Sequence, residues 1–406
     1  MKKKILSILV LIVLIMPIFL FTGCSSGKVS IFITSKPKKV AYEIGEKFIK
    51  DGLKVESLNT DGTTTNVCIK DEDILGADTS TSGEKVVTVK SGDTSTVFNI
   101  YVADIVISPN DNVKEKIALA SDGDVVYFKN GEYLNENGEI TDVVINKSIF
   151  IVGENKEKTI FKGNFIVGAN VNENKYEKID GFKDVKIVNM GFNQDYKIDG
   201  NKINYASKIE KDINGAINGF STENLYVTGC VIKNYSYGVL MDNAVNLSVT
   251  RNSFSNLLIS GVKIKENCER VSIFKNSFVD IGKNVLLNEN ESQGYISCLN
   301  LGFNKKGNAG VMISQNTFNR TAQKDGNWIY YDTTSNNIKE NDNLSKLSYV
   351  NNSAIIILHS NSENNLQVSG IIMSANNYGA TLQNIRLGLR NDDLVNQSGI
   401  IINENF

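Results

Sequence analysis

Lys265 and Asp242 are the residues of this 406-residue sequence whose types and spacing best suit them to chemistry. They end two similarly worded segments, Gly238-Val-Leu-Met241-Asp242 and Gly261-Val-Lys-Ile264-Lys265. Stacking those segments puts both side chains on one outward ridge, which Asn288, His359 and Arg390 would extend. A lysine or arginine so placed can take a proton from the carbon beside a carboxylate, as lyases acting on uronic acids require, provided a cation neutralises that carboxylate. Lys265 and Arg390 are therefore the candidate bases or charge neutralisers, with Asp242 beside Lys265. The plainer reading makes Lys263 and Lys265 the solvated face of a strand, and a lysine base also needs a lowered pKa. A second candidate set, Trp328, Tyr330 and Tyr331, includes the single Trp of the chain. Such rings stack on the apolar face of a sugar, or else anchor a long loop to the core. With His359 they are the candidate substrate-binding residues.

Other chemistries lack their residues. With one histidine, a multi-His metal site cannot form, and His359 has no evident Ser or Asp companion for a triad. No metal ligand set is assigned and no cofactor is established; calcium is the ion that uronate chemistry would call for. Beyond Cys24, only Cys68, Cys230, Cys268 and Cys298 remain, spaced like neither a disulfide framework nor a zinc site. Buried free thiols are the expectation. A formal charge of −2 without a basic stripe argues against nucleic acid.

These residues are carried by a repeat. Val185-Lys-Ile-Val-Asn-Met-Gly-Phe192 returns as Leu225 to Ile232, Leu247 to Phe254, Val271 to Phe278, Val311 to Phe318 and Ile371 to Tyr378. Ile232 to Phe254 is 22 residues, and Phe254 to Phe278 is 24. A period in the low twenties marks a solenoid whose units bury their apolar face only by stacking. Alternation makes the segments strands: Val262 and Ile264 share one face, Lys263 and Lys265 the other. The gaps are too short for helical crossovers. Asn252, Asn276, Asn316 and Asn376 fall at a sharp turn, where Asn tolerates the left-handed conformation and can bond its neighbour one coil on. The fold class is all-β, a right-handed parallel β-helix.

The segment from Asn110 to Tyr133 carries a short amphipathic stretch at Val113 to Ala120, a Gly123-Asp124 turn and a Gly131-Glu-Tyr133 close. Together with Ile149 to Asn155 and Thr159 to Gly163 it resembles the opening of pectate-lyase-like β-helices, over roughly residues 105 to 406. The resemblance implies a helical cap on the solenoid and specifies fold better than activity, since that fold hosts lyases, hydrolases, epimerases and non-catalytic proteins. The Asn-Thr-Asp, Asp-Asp, Gly-His-Gly and Arg-Ile-Lys series of its polygalacturonase-like hydrolases is not found in that order, Asp392-Asp393 being an isolated pair, and a calcium-carboxylate cluster of the pectate-lyase kind and the Gly-rich calcium signature of other β-helices are absent.

Ahead of the repeat lie two further segments. Met1-Lys-Lys-Lys4, an apolar run to Phe21 and Phe21-Thr-Gly-Cys24-Ser-Ser26 read as a bacterial lipoprotein signal over 1–23, with Cys24 the acylated residue of a short tether, 24–28. Removing 1–23 takes three lysines and no acids, which moves the charge from −2 to −5. Residues 29–104 alternate briefly between Asp61-Gly62, Ser82-Gly83 and Ser91-Gly92 turns, the rhythm of a β-sandwich. Ile33 to Pro37, Tyr42 to Glu46, Asp51 to Val55, Asp61 to Thr63 and Asp78 to Gly83 resemble the third group of bacterial immunoglobulin-like domains, which implies a spacer or adhesion module; Glu72, Asp73 and Asp78 read as solvated acids rather than a calcium site.

Polar insertions interrupt the repeat between Phe192 and Leu225, from Asn288 to Asn308 and from Asn319 to Tyr349; in solenoids these form walls of a binding groove. The expectation is a lipid-anchored protein on the outer face of a cell membrane, whose β-helix presents a polysaccharide-binding or adhesion face. The alternatives are a polysaccharide lyase on an acidic glycan and a scaffold for a protein partner.

Overall fold

The computed structural model describes residues 27–134, 142–172, 175–194, 196–199, 202–205, 215–257, 259–281, 297–303, 307–319, 328–332, 337–341, 353–359, 368–378, 383–388 and 400–403. They form two compact units. The smaller is built from two sheets. One joins Lys28–Ser35, Lys54–Asn59 and Thr64–Val67, antiparallel throughout. The other runs in the order Thr94–Val102, Gly83–Ser91 and Ile74–Leu75. Alternation sends Ile31, Val55, Val87, Val89, Phe98 and Ile100 inward, where all are buried. The turn glycines anticipated at 62, 83 and 92 take positive φ of 82°, 108° and 61°, conformations that cost a side chain but not glycine.

The larger unit is the right-handed parallel β-helix. A short helix, α1 (Val113–Ala118), opens it, with Asn112 as N-cap accepting from the Glu115 amide at 3.3 Å and with Val113 and Ile117 buried in the core. Three parallel faces follow in each coil. The first carries Lys183–Val188, Thr222–Thr228, Ser248–Thr250, Ser272–Phe274, Gly307–Ser314 and Val368–Ser374. The second carries Asn164–Val167, Gly215–Gly219, Tyr237–Val245, Ser260–Glu269, Ser297–Phe303, Ser353–His359 and Gln383–Gly388. The third carries Gly191–Asn193, Val231–Lys233, Ser253–Ser255, Ser277–Val279, Thr317–Asn319 and Asn377–Tyr378. The repeating phrase of the sequence is thus a first-face strand, a turn and a third-face strand.

Register keeps like beside like. Ile187, Val227, Val249, Ile273, Ile313 and Met373 pair in succession along the inside of the first face, and Ile187 and its partners have no exposed surface. On the third face Phe254, Phe278, Phe318 and Tyr378 stack, with ring centroids 4.8, 5.2 and 5.4 Å apart. That spacing is close to the strand separation, so each ring lies on the ring of the next coil. The rings also require glycine opposite: a Cβ on Gly261 would stand 2.4 Å from the Phe278 ring, and one on Gly238 2.6 Å from that of Phe254.

The turn between first and third faces corrects one expectation. Asn252, Asn276, Asn316 and Asn376 do form a ladder, each Nδ2 donating to the next Oδ1 at 3.0 Å. They do not occupy the left-handed conformation. That falls one residue earlier, on Arg251, Lys275, Gln315 and Ala375, with φ between 53° and 56°. The asparagines are needed for their buried amides: Asn276 Oδ1 also accepts from the Asn252 backbone N–H at 2.9 Å, and its Nδ2 also donates to the Val249 carbonyl at 2.8 Å. Cys230 fills the same position, its N–H donating to Asn252 Oδ1 at 2.8 Å. It is buried, as are Cys268 and Cys298, whereas Cys68 is exposed on the sandwich, against the expectation of burial. Burial pushes the Cys230 thiol up to about 12, which makes it an inert core group.

Two anticipated insertions are shorter than the sequence implies. The segment from Phe192 to Leu225 contains the second-face strand Gly215–Gly219, and that from Asn288 to Asn308 contains Ser297–Phe303. Both strands are buried throughout, so neither shows the alternation that marks a half-exposed strand.

Asn276→Ala should lower the unfolding free energy by roughly 2–5 kcal/mol, because the Asn252 N–H and Val249 C=O each lose a buried partner at about 1–3 kcal/mol. Thr250→Ala, which removes only the half-exposed Thr228–Thr250 hydroxyl contact of 3.0 Å, should cost under about 1 kcal/mol. Urea unfolding midpoints of the two variants check the difference.

Candidate functional site

The second face is where solenoid regularity gives way. From Lys183 onward, among the described residues, the turn from first to third face is two residues long: 189–190, 229–230, 251–252, 275–276, 315–316 and 375–376. The long interruptions lie at the two edges of the second face. Residues 194–214, 280–296 and 320–352 separate third-face from second-face strands. On the other edge a hairpin of Ala169–Asn172 and Lys175–Lys178 follows Asn164–Val167. It is tied back by Tyr176, whose hydroxyl donates to Asp142 Oδ2 at 2.7 Å.

One row runs along the outside of this face. Ile166, Asn218, Leu240, Lys263 and Asn300 pair in succession, roughly 4.8 Å apart as strand neighbours are. Outward position here does not mean exposure: Leu240 and Asn300 keep only 4 % and 3 % of their surface. The Asn218 amide is used locally, accepting from the Gly215 N–H at 3.1 Å and donating to its C=O at 2.7 Å.

Lys265 and Asp242 meet as the spacing predicts, with Nζ 2.9 Å from Oδ1 and both side chains over a third exposed. A surface pair of this kind contributes little to stability. The lysine with the perturbed ionisation is its neighbour, Lys263. Burial of its ammonium, reinforced by the positive charge of Lys265, holds Lys263 below the ordinary lysine range. Its Nζ lies 5.3 Å from the ring centre of Tyr237, a cation–π contact that retains the charge in a half-buried place. Reading Lys263 as a fully solvated strand residue is therefore corrected: the middle of the strand, between Leu240 and Asn300, is the drier position. Sequence missed it because Lys263 and Lys265 have the same alternation phase.

The remaining ridge differs from the expected one. Ile264 pairs with Leu301, which places Gly302 and not Asn288 next to Lys265; Asn288 lies outside the described residues. His359 is at the end of a second-face strand and pairs with Phe303, one position beyond that ridge. Arg390 and Cys24 lie outside the described residues. Trp328, Tyr330 and Tyr331 belong to a two-stranded antiparallel hairpin, Trp328–Asp332 with Asn337–Asn341, inside the longest insertion. Among the described residues no three His, Cys, Asp or Glu side chains cluster as a metal site would require. In the sandwich, Glu72 pairs with Lys70 at 3.2 Å and Asp73 Oδ2 accepts from the Lys70 N–H at 2.8 Å.

Residues 35–102 match the bacterial Ig-like domain (group 3), which identifies the small sandwich. No curated protein matches the chain. Among solved structures, it is similar to a pectin methylesterase in complex with a hexasaccharide, at 13% identity and TM-score 0.37 over 68% of this chain and 80% of that one. It is also similar to the pectin methylesterase of Erwinia chrysanthemi, at 14% identity and TM-score 0.36 over 70% and 92%. A third similarity is to the catalytic domain of a GH87 alpha-1,3-glucanase in complex with nigerose, at 9% identity and TM-score 0.35 over 94% and 76%.

The ionisation of Lys263 gives a pH dependence with a definite sign. Its folded pKa lies below that of the unfolded chain, so between the two the unfolded state binds more protons and stability rises with pH. The unfavourable contribution is fully present below the folded value and is gone above the unfolded value of about 10.4. The urea midpoint of the wild type should therefore climb relative to that of Lys263→Met between neutral pH and about pH 10. Parallel midpoints across that range would contradict the burial of this ammonium.

Proposed function

We propose that the β-helix binds a polysaccharide along its second face and that the chain is held on the outer face of a cell membrane by a lipid on Cys24. The observation that supports glycan binding is the placement of the insertions. They fall at the corners of one sheet, at 168–182, 194–214, 280–296 and 320–352, while the opposite corner stays tight from Lys183 onward, and the strip of that sheet from Tyr237 to Glu269 lies in the coils between them. That strip holds Tyr237, Lys263, Asp242 and Lys265, a mixture of ring, ammonium and carboxylate that suits a hydroxyl-rich polymer better than an apolar ligand. The anchor rests on the sequence from Met1 to Ser26, and a bacterial Ig-like domain between anchor and β-helix is consistent with a spacer role.

The second reading, a polysaccharide lyase, is favoured by one observation. A lysine base needs an ionisation below the ordinary range, and Lys263 has it; this moves the candidate base from Lys265 to its neighbour. The third reading, a scaffold for a protein partner, has no such observation.

Glycan-array screening of the acylation-free chain should return polysaccharide hits that Lys265→Ala weakens. Absorbance from unsaturated sugar products would promote the lyase, and an array without hits would remove the glycan reading and leave the protein-partner one. For the anchor, Cys24→Ser should shift the expressed protein from the detergent phase to the aqueous phase on Triton X-114 partitioning. Unchanged partitioning would count against lipidation at Cys24.

A further inference from the structure

We propose that Lys263 and Lys265 together form a subsite for an anionic substituent of the bound glycan, a carboxylate or a sulfate, contacted directly by the two ammonium groups. The inference rests on the polysaccharide reading of the second face and names the class of polymer that would bind there. Both lysines stand on the strand Ser260–Glu269, two positions apart on its outer side, with Val262 and Ile264 between and beside them turned into the core. Their surroundings give the pair an unbalanced charge. Asp242 holds Lys265 at 2.9 Å. Lys263 meets an aromatic ring rather than a carboxylate, and among the described residues no salt bridge is formed to it. Its neighbours across the sheet, Leu240 and Asn300, are uncharged. Glu266 and Glu269 lie further along the same strand, and Glu269 is paired with Arg270.

Of the two ammoniums only that of Lys265 is paired with a carboxylate, which leaves one positive charge. The half-buried member lacks the water that would otherwise solvate it. An incoming anion would restore what burial removed and screen the repulsion between the two lysines, gains that a neutral sugar cannot supply. Tyr237 acts as a positioning residue, its ring meeting the Lys263 ammonium at 5.3 Å and so fixing where that charge is presented. Because Lys263 gives up its proton at lower pH than an ordinary lysine, anion affinity should fall as pH rises from neutral toward about 10.

The test compares a polyuronate with the same polymer after its carboxyl groups are reduced to alcohols, measured by affinity electrophoresis with the full chain at neutral pH. A sulfated polymer of a neutral sugar is the third probe. The expected result is at least about ten-fold weaker binding of the reduced polymer, a difference of about 1.4 kcal/mol. Lys263→Met should lose the preference for the charged polymer, and Lys263→Arg should keep it. Urea midpoints no lower than that of the wild type for both variants exclude a folding defect. Preference for the sulfated polymer that disappears in Lys263→Met supports the subsite and assigns sulfate as its ligand. Equal binding of charged and reduced polymers overturns the inference while leaving the glycan reading intact. An anion preference that survives in Lys263→Met also overturns it. Absence of binding to every glycan overturns the reading on which it rests.

Discussion

The amide of Asn276 makes every bond it can usefully make inside the solenoid. It accepts from the backbone and side chain of Asn252 and donates to Val249 and Asn316. Repeated at Asn316, this arrangement fixes the corner between first and third faces to the same two-residue path in successive coils. An inserted residue there would break a chain of buried hydrogen bonds, each costly to leave unmade. From Lys183 onward, length variation among the described residues is consequently confined to the other two corners, and these are the edges of the second face. The location of the insertions thus follows from the chemistry of a turn on the far side of the coil.

Much of this was open to a reader of the sequence, and the parts that were not share a cause. The first and third faces announce themselves because each strand is short, half-exposed and followed by a recurring aromatic or aliphatic residue, as at Phe254, Phe278 and Phe318. The strands Gly215–Gly219 and Ser297–Phe303 are buried on both sides, so polar and apolar positions do not alternate and they pass for loop. The asparagines illustrate a different ambiguity. Asn224, Asn234, Asn246 and Asn256 do adopt positive φ, while Asn252 and Asn276 are kept for a buried amide. Residue type alone does not separate the two uses, since one short side chain serves both.

At the candidate site, sequence supplied the meeting of Asp242 and Lys265, because a 23-residue offset between like strands is enough to align them. It did not distinguish Lys263 from Lys265. Alternation assigns a side, and both lysines are on the same one. What separates them is lateral: Lys263 lies between Leu240 and Asn300 in mid-strand, whereas Lys265 reaches the irregular stretch where the pairing shifts between Met241 and Asn243. The carboxylate of Asp242 is available at that irregularity and not one step earlier.

A lysine held half-buried beside another cation is unfavourable for folding, and the surrounding sheet has to hold it there. Replacement by an apolar residue of similar length would remove the desolvation cost, and beyond the Tyr237 contact the fold itself gives no reason for an ammonium at position 263. The cost is of the kind that functional sites carry, because a group denied water in the free protein binds an opposite charge more strongly when one arrives. Lys265 alone, already neutralised and exposed, would offer a glycan little beyond what any surface lysine offers. The pair differs from a solvated strand face through one member's desolvation, and that desolvation comes from the stacking of coils that the asparagine corner keeps in register.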